Sequence, residues 1–284
     1  MNKSLRVDAH HHVWDISVRD QPWTDGIPPL HRSFSMFELI PLLQANAIDA
    51  TIVVQTLHSA EETSELLALA NESPVIAGVV GWVDLCAPDL SDELSRTKEL
   101  PGGDRLVGIR HAAQDEEDDD WLRHPRVSAG LGKVESFGLV YDLLVHHRQI
   151  PSAIEAVKSL PNLRFVLDHF GKPAIAAGEI EPWRAQMFEL ARRENVVVKF
   201  SGLITEADIE HWQVSDLRPY VDVVLSAFGP KRLIFGSDWP VCTLGASYDQ
   251  VINTTGELVA DLNIREKEFL FGQTAINWYA LDIS

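Results

Sequence analysis

A chain of 284 residues has room for one large domain or two small ones, and its 45% hydrophobic and 23% charged residues exclude a disordered or fibrous protein. The excess of 42 acidic over 24 basic residues gives a net charge of −18, a field that repels phosphate backbones and anionic membranes, so no nucleic-acid or membrane partner is expected. No apolar stretch reaches the roughly 18 residues of a membrane span. The opening residues lack the apolar segment of a signal peptide, and Cys86 and Cys242 stand far apart without CxxC spacing, so a cytoplasmic, disulfide-free protein is expected.

Eight short, β-branched runs are predicted strands: 6–10, 50–55, 75–83, 106–111, 139–145, 164–168, 196–200 and 232–236. Most are nearly continuous in apolar residues, as in Thr-Ile-Val-Val-Gln (51–55) and Asn-Val-Val-Val-Lys-Phe (195–200), the pattern of strands covered on both faces. Helical signals lie between them. Ser35 with Glu38, and Ser59 with Glu62, have the capping-box spacing, and further helices are predicted near 152–159, 182–194, 216–228 and 247–261. Strand–helix alternation repeated eight times predicts an α/β fold, a single (β/α)8 TIM-type barrel. Such a barrel needs about 250 residues, so it would occupy 1–284 as one domain.

Chemistry in such a barrel belongs at the C-terminal ends of the strands. The first strand ends in Val7-Asp8-Ala9-His10-His11-His12, where side chains two apart share a face; His10 and His12 should converge on the mouth and His11 point away as a structural residue. Two imidazoles so aimed can bind one metal ion or jointly polarise a carbonyl, unless both are satisfied structural residues. The last strand ends in Phe235-Gly236-Ser237-Asp238-Trp239-Pro240; Asp238 either projects into the mouth beside strand one or caps a helix, with Ser237 as the competing cap. His169 ends strand six, Arg110 and His111 end strand four with one of them facing inward, His146 and His147 end strand five, and Lys199 ends strand seven. Gln55 is a candidate hydroxyl-binding amide. Trp14, Trp23, Trp82 and Trp239 are either flat faces for a sugar or packing that caps the barrel. The acidic run 115–120 reads as a solvated loop or helix start. No GxSxG, Walker A or GxGxxG motif follows a strand, which argues against a serine hydrolase or a nucleotide enzyme.

On these residues the chain resembles the amidohydrolase superfamily, in its metal-optional sugar-lactonase branch. The matching segments are Val-Asp-Ala-His-His-His-Val-Trp-Asp (7–15), Gly-Ile-Arg-His (108–111), Glu-Glu-Asp-Asp-Asp-Trp-Leu (116–122), Tyr-Asp-Leu-Leu-Val (141–145), Phe-Val-Leu-Asp-His-Phe-Gly-Lys-Pro (165–173), Lys-Phe-Ser-Gly-Leu (199–203) and Phe-Gly-Ser-Asp-Trp-Pro-Val (235–241). They run in order along almost the whole chain. The resemblance implies a catalytic set of His10, His12, His169 and Asp238. Strand four carries Arg110-His111 where binuclear members have a metal-bridging lysine, which argues against a two-metal centre. One divalent ion, zinc foremost, would be held by His10, His12 and Asp238 and would not be essential.

The implied reaction opens an aldonolactone, such as L-fucono- or L-rhamnonolactone, to the aldonic acid. Asp238 would be the general base, the three histidines would polarise the carbonyl, and Arg110, His111, Gln55, Trp23 and Trp82 would bind substrate. The rivals are a metal-dependent decarboxylase of the same superfamily, a lactonase for dicarboxylated pyrones, and a ligand-binding barrel without catalysis. The pyrone enzyme would need several mouth arginines, and Arg110 is the only one found at a strand end.

Overall fold

The structure, a computed structural model, describes residues 4–283. Its strands are β1 (Val7–His11), β2 (Ala50–Val54), β3 (Ile76–Gly81), β4 (Leu106–His111), β5 (Val140–Leu143), β6 (Phe165–Leu167), β7 (Val196–Phe200) and β8 (Leu233–Phe235). All eight are parallel neighbours in chain order. The sheet closes where β8 returns to β1: Asp238 N donates to His10 O at 2.8 Å, and His12 N donates to Trp239 O at 2.7 Å. The expected (β/α)8 barrel is the observed one.

Helices α1 (Met36–Ala45), α2 (Ala60–Glu72), α3 (Leu90–Glu99), α4 (Pro125–Ser136), α5 (Ile150–Ser159), α6 (Trp183–Leu190), α7 (Leu203–Glu206), α8 (Val214–Phe228), α9 (Tyr248–Leu258), α10 (Ile264–Glu268) and α11 (Thr274–Tyr279) cover the outside and the lower end. Side-chain alternation divides each strand between two apolar clusters. Ala9, Ile52, Val80, Val140, Val166, Val197 and Ile234 fill the barrel interior with Ala275 and Tyr279 of α11, while Val53, Val79, Ile109, Phe165, Val198 and Phe235 pack outward under the helices. One step further along the inward face, apolar residues give way to polar ones: Asp142 follows Val140, Asp168 follows Val166, and Lys199 follows Val197, all fully buried. The barrel therefore carries a charged layer directly above its apolar plug.

Sequence signals at the helix starts are met in part. Ser59 Oγ accepts from Glu62 N at 3.2 Å, but the buried Glu62 carboxylate turns to Leu57 N, at 2.8 Å, and to Thr56 instead of completing a capping box. Ser35 occupies the first cap position without a side-chain bond, and Glu38 pairs with Arg32. Helices α3 and α4, after strands three and four, and the short α7, α10 and α11 have no predicted counterpart. The polar α3 buries only Leu90 and Leu94, and the stripe of α4, Val127, Leu131 and Val134, is interrupted by Gly130 and Gly132. Gly130 in α4 is required by packing, since a Cβ there would lie 2.2 Å from Leu85 O.

Cys86 and Cys242 are both free. Among the described residues no helix is long and apolar enough to cross a membrane.

Candidate active site

The convergence of His10 and His12 depends on a bulge in β1. Asp8 pairs with Thr51 and His11 with Val53, so three steps along β1 match two along β2. Val7 and Ala9 face the interior. Strict alternation from them would have sent His11 inward; the extra residue turns His10 and His12 to the mouth and His11 outward, where its Nε2 meets Thr51 Oγ1 at 3.0 Å. Burial holds the His11 ring down to a pKa of about 3, consistent with a neutral structural residue. Asp8, facing outward, accepts from Tyr248 Oη at 2.9 Å and from Ser237 N at 2.8 Å, fixing the β1–β8 seam below the site.

Three acceptor atoms meet at the mouth. His10 Nε2 and His12 Nε2 are 3.2 Å apart, and Asp238 Oδ1 lies 3.6 Å from the first and 3.5 Å from the second. His12 Nδ1 is 2.7 Å from Val54 O, so it carries the ring proton and Nε2 offers a lone pair. A tetrahedral ion with ligands at 2.0–2.2 Å has ligand–ligand edges of about 3.3–3.6 Å. The triangle therefore fits one divalent ion, and all three residues are buried. A second overlapping group, His10, Asp168 and His169, shares His10. Asp238 has φ 59, a left-handed conformation rare for a side-chain-bearing residue, and its carboxyl aims inward from that turn. Burial pushes the Asp238 carboxyl up, but His169, His12 and Lys172 together hold it below the usual carboxylate range. It is not a side-chain helix cap; its carbonyl instead accepts from Cys242 N at 2.8 Å.

Gly236 gives His10 its place, since a Cβ there would lie 2.6 Å from His10 Cβ. Gly236→Ala should displace the ring and weaken divalent-ion binding by about 10–100-fold, the usual cost of disturbing the support of a ligand. Equilibrium dialysis against zinc checks this; unchanged affinity would mean that His10 has slack to move.

Beneath the triangle sits the charged layer. Lys199 Nζ bridges Asp142 Oδ2 at 2.7 Å and Asp168 Oδ1 at 2.9 Å, and Tyr279 Oη donates to Asp142 from below at 2.8 Å. Arg110 NH1 donates to Asp168 Oδ2 at 3.1 Å and lies 3.3 Å from His10 Nε2, while NH2 donates to Gln55 O. Burial alone would raise Asp168, but Lys199, His10 and Arg110 outweigh it and keep the carboxylate charged. His10 Nδ1 faces Asp168 Oδ1 at 3.7 Å, and burial together with the Lys199 charge keeps the ring neutral. Sequence reasoning noted Lys199 as a strand end and did not single out Asp142 or Asp168. Their spacing, two residues beyond a buried valine on each strand, was the available signal.

His169 reaches the site through an unusual backbone. Residues 169–172 all have positive φ, at 51, 56, 65 and 50, forming one left-handed turn. Each non-glycine residue in that conformation costs about 1–2 kcal/mol. The turn is locked by burial of Phe170, which packs edge-on to Phe200, and by Trp183 Nε1 donating to Phe170 O at 2.7 Å. Ser201 Oγ lies 2.9 Å from His169 Nδ1, and Gly202 permits the contact because a Cβ there would come 2.6 Å from that nitrogen. In the tautomer in which Ser201 donates to Nδ1, the His169 Nε2–H is the group left to donate. Burial lowers the His169 pKa to about 4.

The mouth opens on a cavity of about 310 Å³ that includes His12, His169 and Asp238 with Arg110, Gln55, Thr56, Trp23, Gln114, Asp115 and Lys172. Of the candidate substrate-binding residues, Arg110, Gln55 and Trp23 line it. His111 and Trp82 stand beside it, with Trp82 Nε1 donating to His111 Nδ1 at 3.1 Å. The His111 ring lies between His58 at 3.9 Å and Trp121 at 4.1 Å, and its Nε2 meets Glu116 at 2.8 Å. The acidic run thus supplies one tether, Glu116, and one cavity residue, Asp115; Asp118, Asp119 and Asp120 are exposed. Trp14 and Trp239 pack on Phe34 in the core. His146 and His147 do not line the cavity; His147 Nδ1 instead meets Lys172 O at 3.1 Å. Thr56, Gln114 and Lys172 were not singled out from sequence, and Asp115 was read as part of a solvated acidic run; each lies beyond a strand end.

Comparison with known proteins adds an independent line. A family model described as Amidohydrolase matches residues 7–281. The L-fucono-1,5-lactonase of Burkholderia multivorans (strain ATCC 17616 / 249) is 40% identical, with 98% of this chain and 97% of that protein covered. The L-fucono-1,5-lactonase of Burkholderia ambifaria is 38% identical, covering 86% of this chain and 83% of the other. A crystal structure of an amidohydrolase from Burkholderia multivorans with bound zinc superimposes with a TM-score of 0.92 at 40% identity, covering 98% of this chain and 100% of that one.

Proposed function

The chain belongs to the amidohydrolase family, and from that premise we propose that it hydrolyses a neutral sugar lactone, an aldonolactone such as L-fucono- or L-rhamnonolactone, to the aldonic acid. Asp238 takes a proton from the attacking water and returns it to the ring oxygen as the C–O bond breaks. His169 presents an N–H to the carbonyl oxygen, and His10 and His12 face the mouth with Nε2 lone pairs that would hold a divalent ion. Gln55 and Trp23 receive the sugar hydroxyls and ring face. A divalent ion held by His10, His12 and Asp238, with zinc suited to two imidazoles and a carboxylate, would supply Lewis-acid polarisation and acidify water. A lactone is more electrophilic than an amide and leaves as an alcohol, so the protein's own donors suffice without it.

The observation that carries a neutral substrate is the state of Arg110. Its NH1 and NH2 groups are turned to Asp168, His10 and Gln55 inside the barrel, so it has no fork to offer a substrate carboxylate. That disfavours dicarboxylated pyrones, whose recognition would need several free guanidinium groups at the mouth. The likeness to two L-fucono-1,5-lactonases supports the same substrate class. A pH-indicator screen of five- and six-membered aldonolactones, with and without chelator, tests the proposal. Proton release that survives chelation is expected; release from none of the lactones would refute it.

A further inference from the structure

Lys172 belongs to no part of the mechanism above, yet it lines the cavity beside His169 and Asp238. The left-handed turn explains its position. Residues three apart in so tight a turn stack on one face, and Lys172 N closes the turn by donating to His169 O at 2.8 Å. Phe170 and Gly171 between them are buried, so the two cavity-facing residues of the turn are His169 and Lys172.

The segment after β7 grips both. Ser201 holds His169 at 2.9 Å, and Glu206, at the end of α7, lies 3.7 Å from Lys172 Nζ. That separation is longer than a hydrogen bond, so the ammonium is held by charge while its N–H groups remain free to donate. The other cation lining the cavity, Arg110, is turned inward. Lys172 is therefore the mouth's available cationic donor among the described residues, fixed on the same turn as the histidine that faces the carbonyl.

We propose that Lys172 is a further catalytic residue, and that its ammonium and His169 Nε2–H form a two-donor cradle for the lactone's carbonyl oxygen. Attack of water on the carbonyl carbon moves the C=O electron pair onto that oxygen, and both donors hold the resulting oxyanion. No proton leaves Lys172. On collapse the C=O bond re-forms, the ring C–O bond breaks, and the ring oxygen takes the proton held by Asp238. The strained turn then has a function: it brings two donors to one atom. This inference rests on the lactone reading for its substrate, but not for the existence of an oxyanion site.

Two measurements on the full-length protein test it. Lys172→Met should lower kcat by about 10²–10³-fold, the effect of losing one such donor, with KM changed little; Lys172→Arg should restore part of kcat. Acetate, a minimal oxyanion probe titrated against tryptophan emission (Trp23 lines the same cavity), should bind the wild type and Lys172→Arg but not Lys172→Met. Loss of acetate binding in a protein that opens no lactone would refute the substrate and leave the cradle standing. Wild-type kcat in Lys172→Met, or equal acetate binding by the wild type and Lys172→Met, would overturn the assignment. A fall in kcat with a matching rise in KM and no rescue by arginine would also overturn it, as the mark of a structural role.

Discussion

Replacing Asp238 with asparagine is expected to lower kcat for aldonolactone opening by about 10²–10⁴-fold, the contribution of a positioned general base. The fold should survive, because the seam around Asp238 is built from its backbone: its N donates to His10 O, and its carbonyl accepts from Cys242 N. Asparagine also tolerates the left-handed conformation, φ 59, better than most residues. The amide keeps the size of the carboxylate and removes its basicity. KM should therefore change little while kcat falls, the signature of an interaction used only in the transition state. Steady-state kinetics beside a thermal melt checks this. An asparagine variant with wild-type kcat would end the base assignment, and a variant that no longer folds would show that the carboxylate is structural.

Lys199→Met is expected to have the largest effect on stability. Lys199 lies between Asp142 and Asp168, and all three are fully buried. Removing the cation strands two carboxylates in the barrel interior, and breaking a buried pair costs about 3–5 kcal/mol. At about 2–4 °C per kcal/mol, Tm should fall by roughly 6–20 °C. Asp142 is where the variant would take up a compensating proton, since burial already lifts it to about 6 against the pull of Lys199. A carboxyl with a raised folded-state pKa contributes stability below its unfolded pKa and loses it as pH rises through the folded one. The deficit should therefore shrink as pH falls toward 5, and adding Asp142→Asn should recover part of it at neutral pH. A Tm within about 2 °C of wild type would contradict this account of the charged layer.

The barrel was legible because its strands are buried on both faces and so appear as continuous runs such as Val196–Phe200. The predicted ends ran long at 75–83 and 139–145, where apolar residues continue past the last ladder pairing at Gly81 and Leu143. His10, His12, His169 and Asp238 were legible as polar stops at strand ends, and the structure brings them to one mouth. The way it does so was not. Period-2 alternation pairs His10 with His12 but does not reveal which face they take, and a bulge between Asp8 and His11 decides it. Likewise Arg110 and His111 are adjacent, so one must face in, and the pattern does not say which. The left-handed turn at 169–172 has glycine at only one of its four positions, so nothing in the local sequence marks it. Asp142 and Asp168 were hidden for a simpler reason: their charges are satisfied by Lys199 and Arg110, far away in sequence.

The central claim is that a carboxylate at the end of β8 and the imidazoles of β1 and of the turn after β6 open a neutral lactone with water. The most direct measurement follows a 1,5-aldonolactone by proton NMR in the presence of the wild-type protein and, in parallel, of the Asp238→Asn variant. The account predicts that the wild type converts it to the ring-opened aldonate far faster than the spontaneous reaction, and that the variant stays near the spontaneous rate. An unchanged lactone spectrum with the wild type, or equal conversion by both proteins, would contradict it.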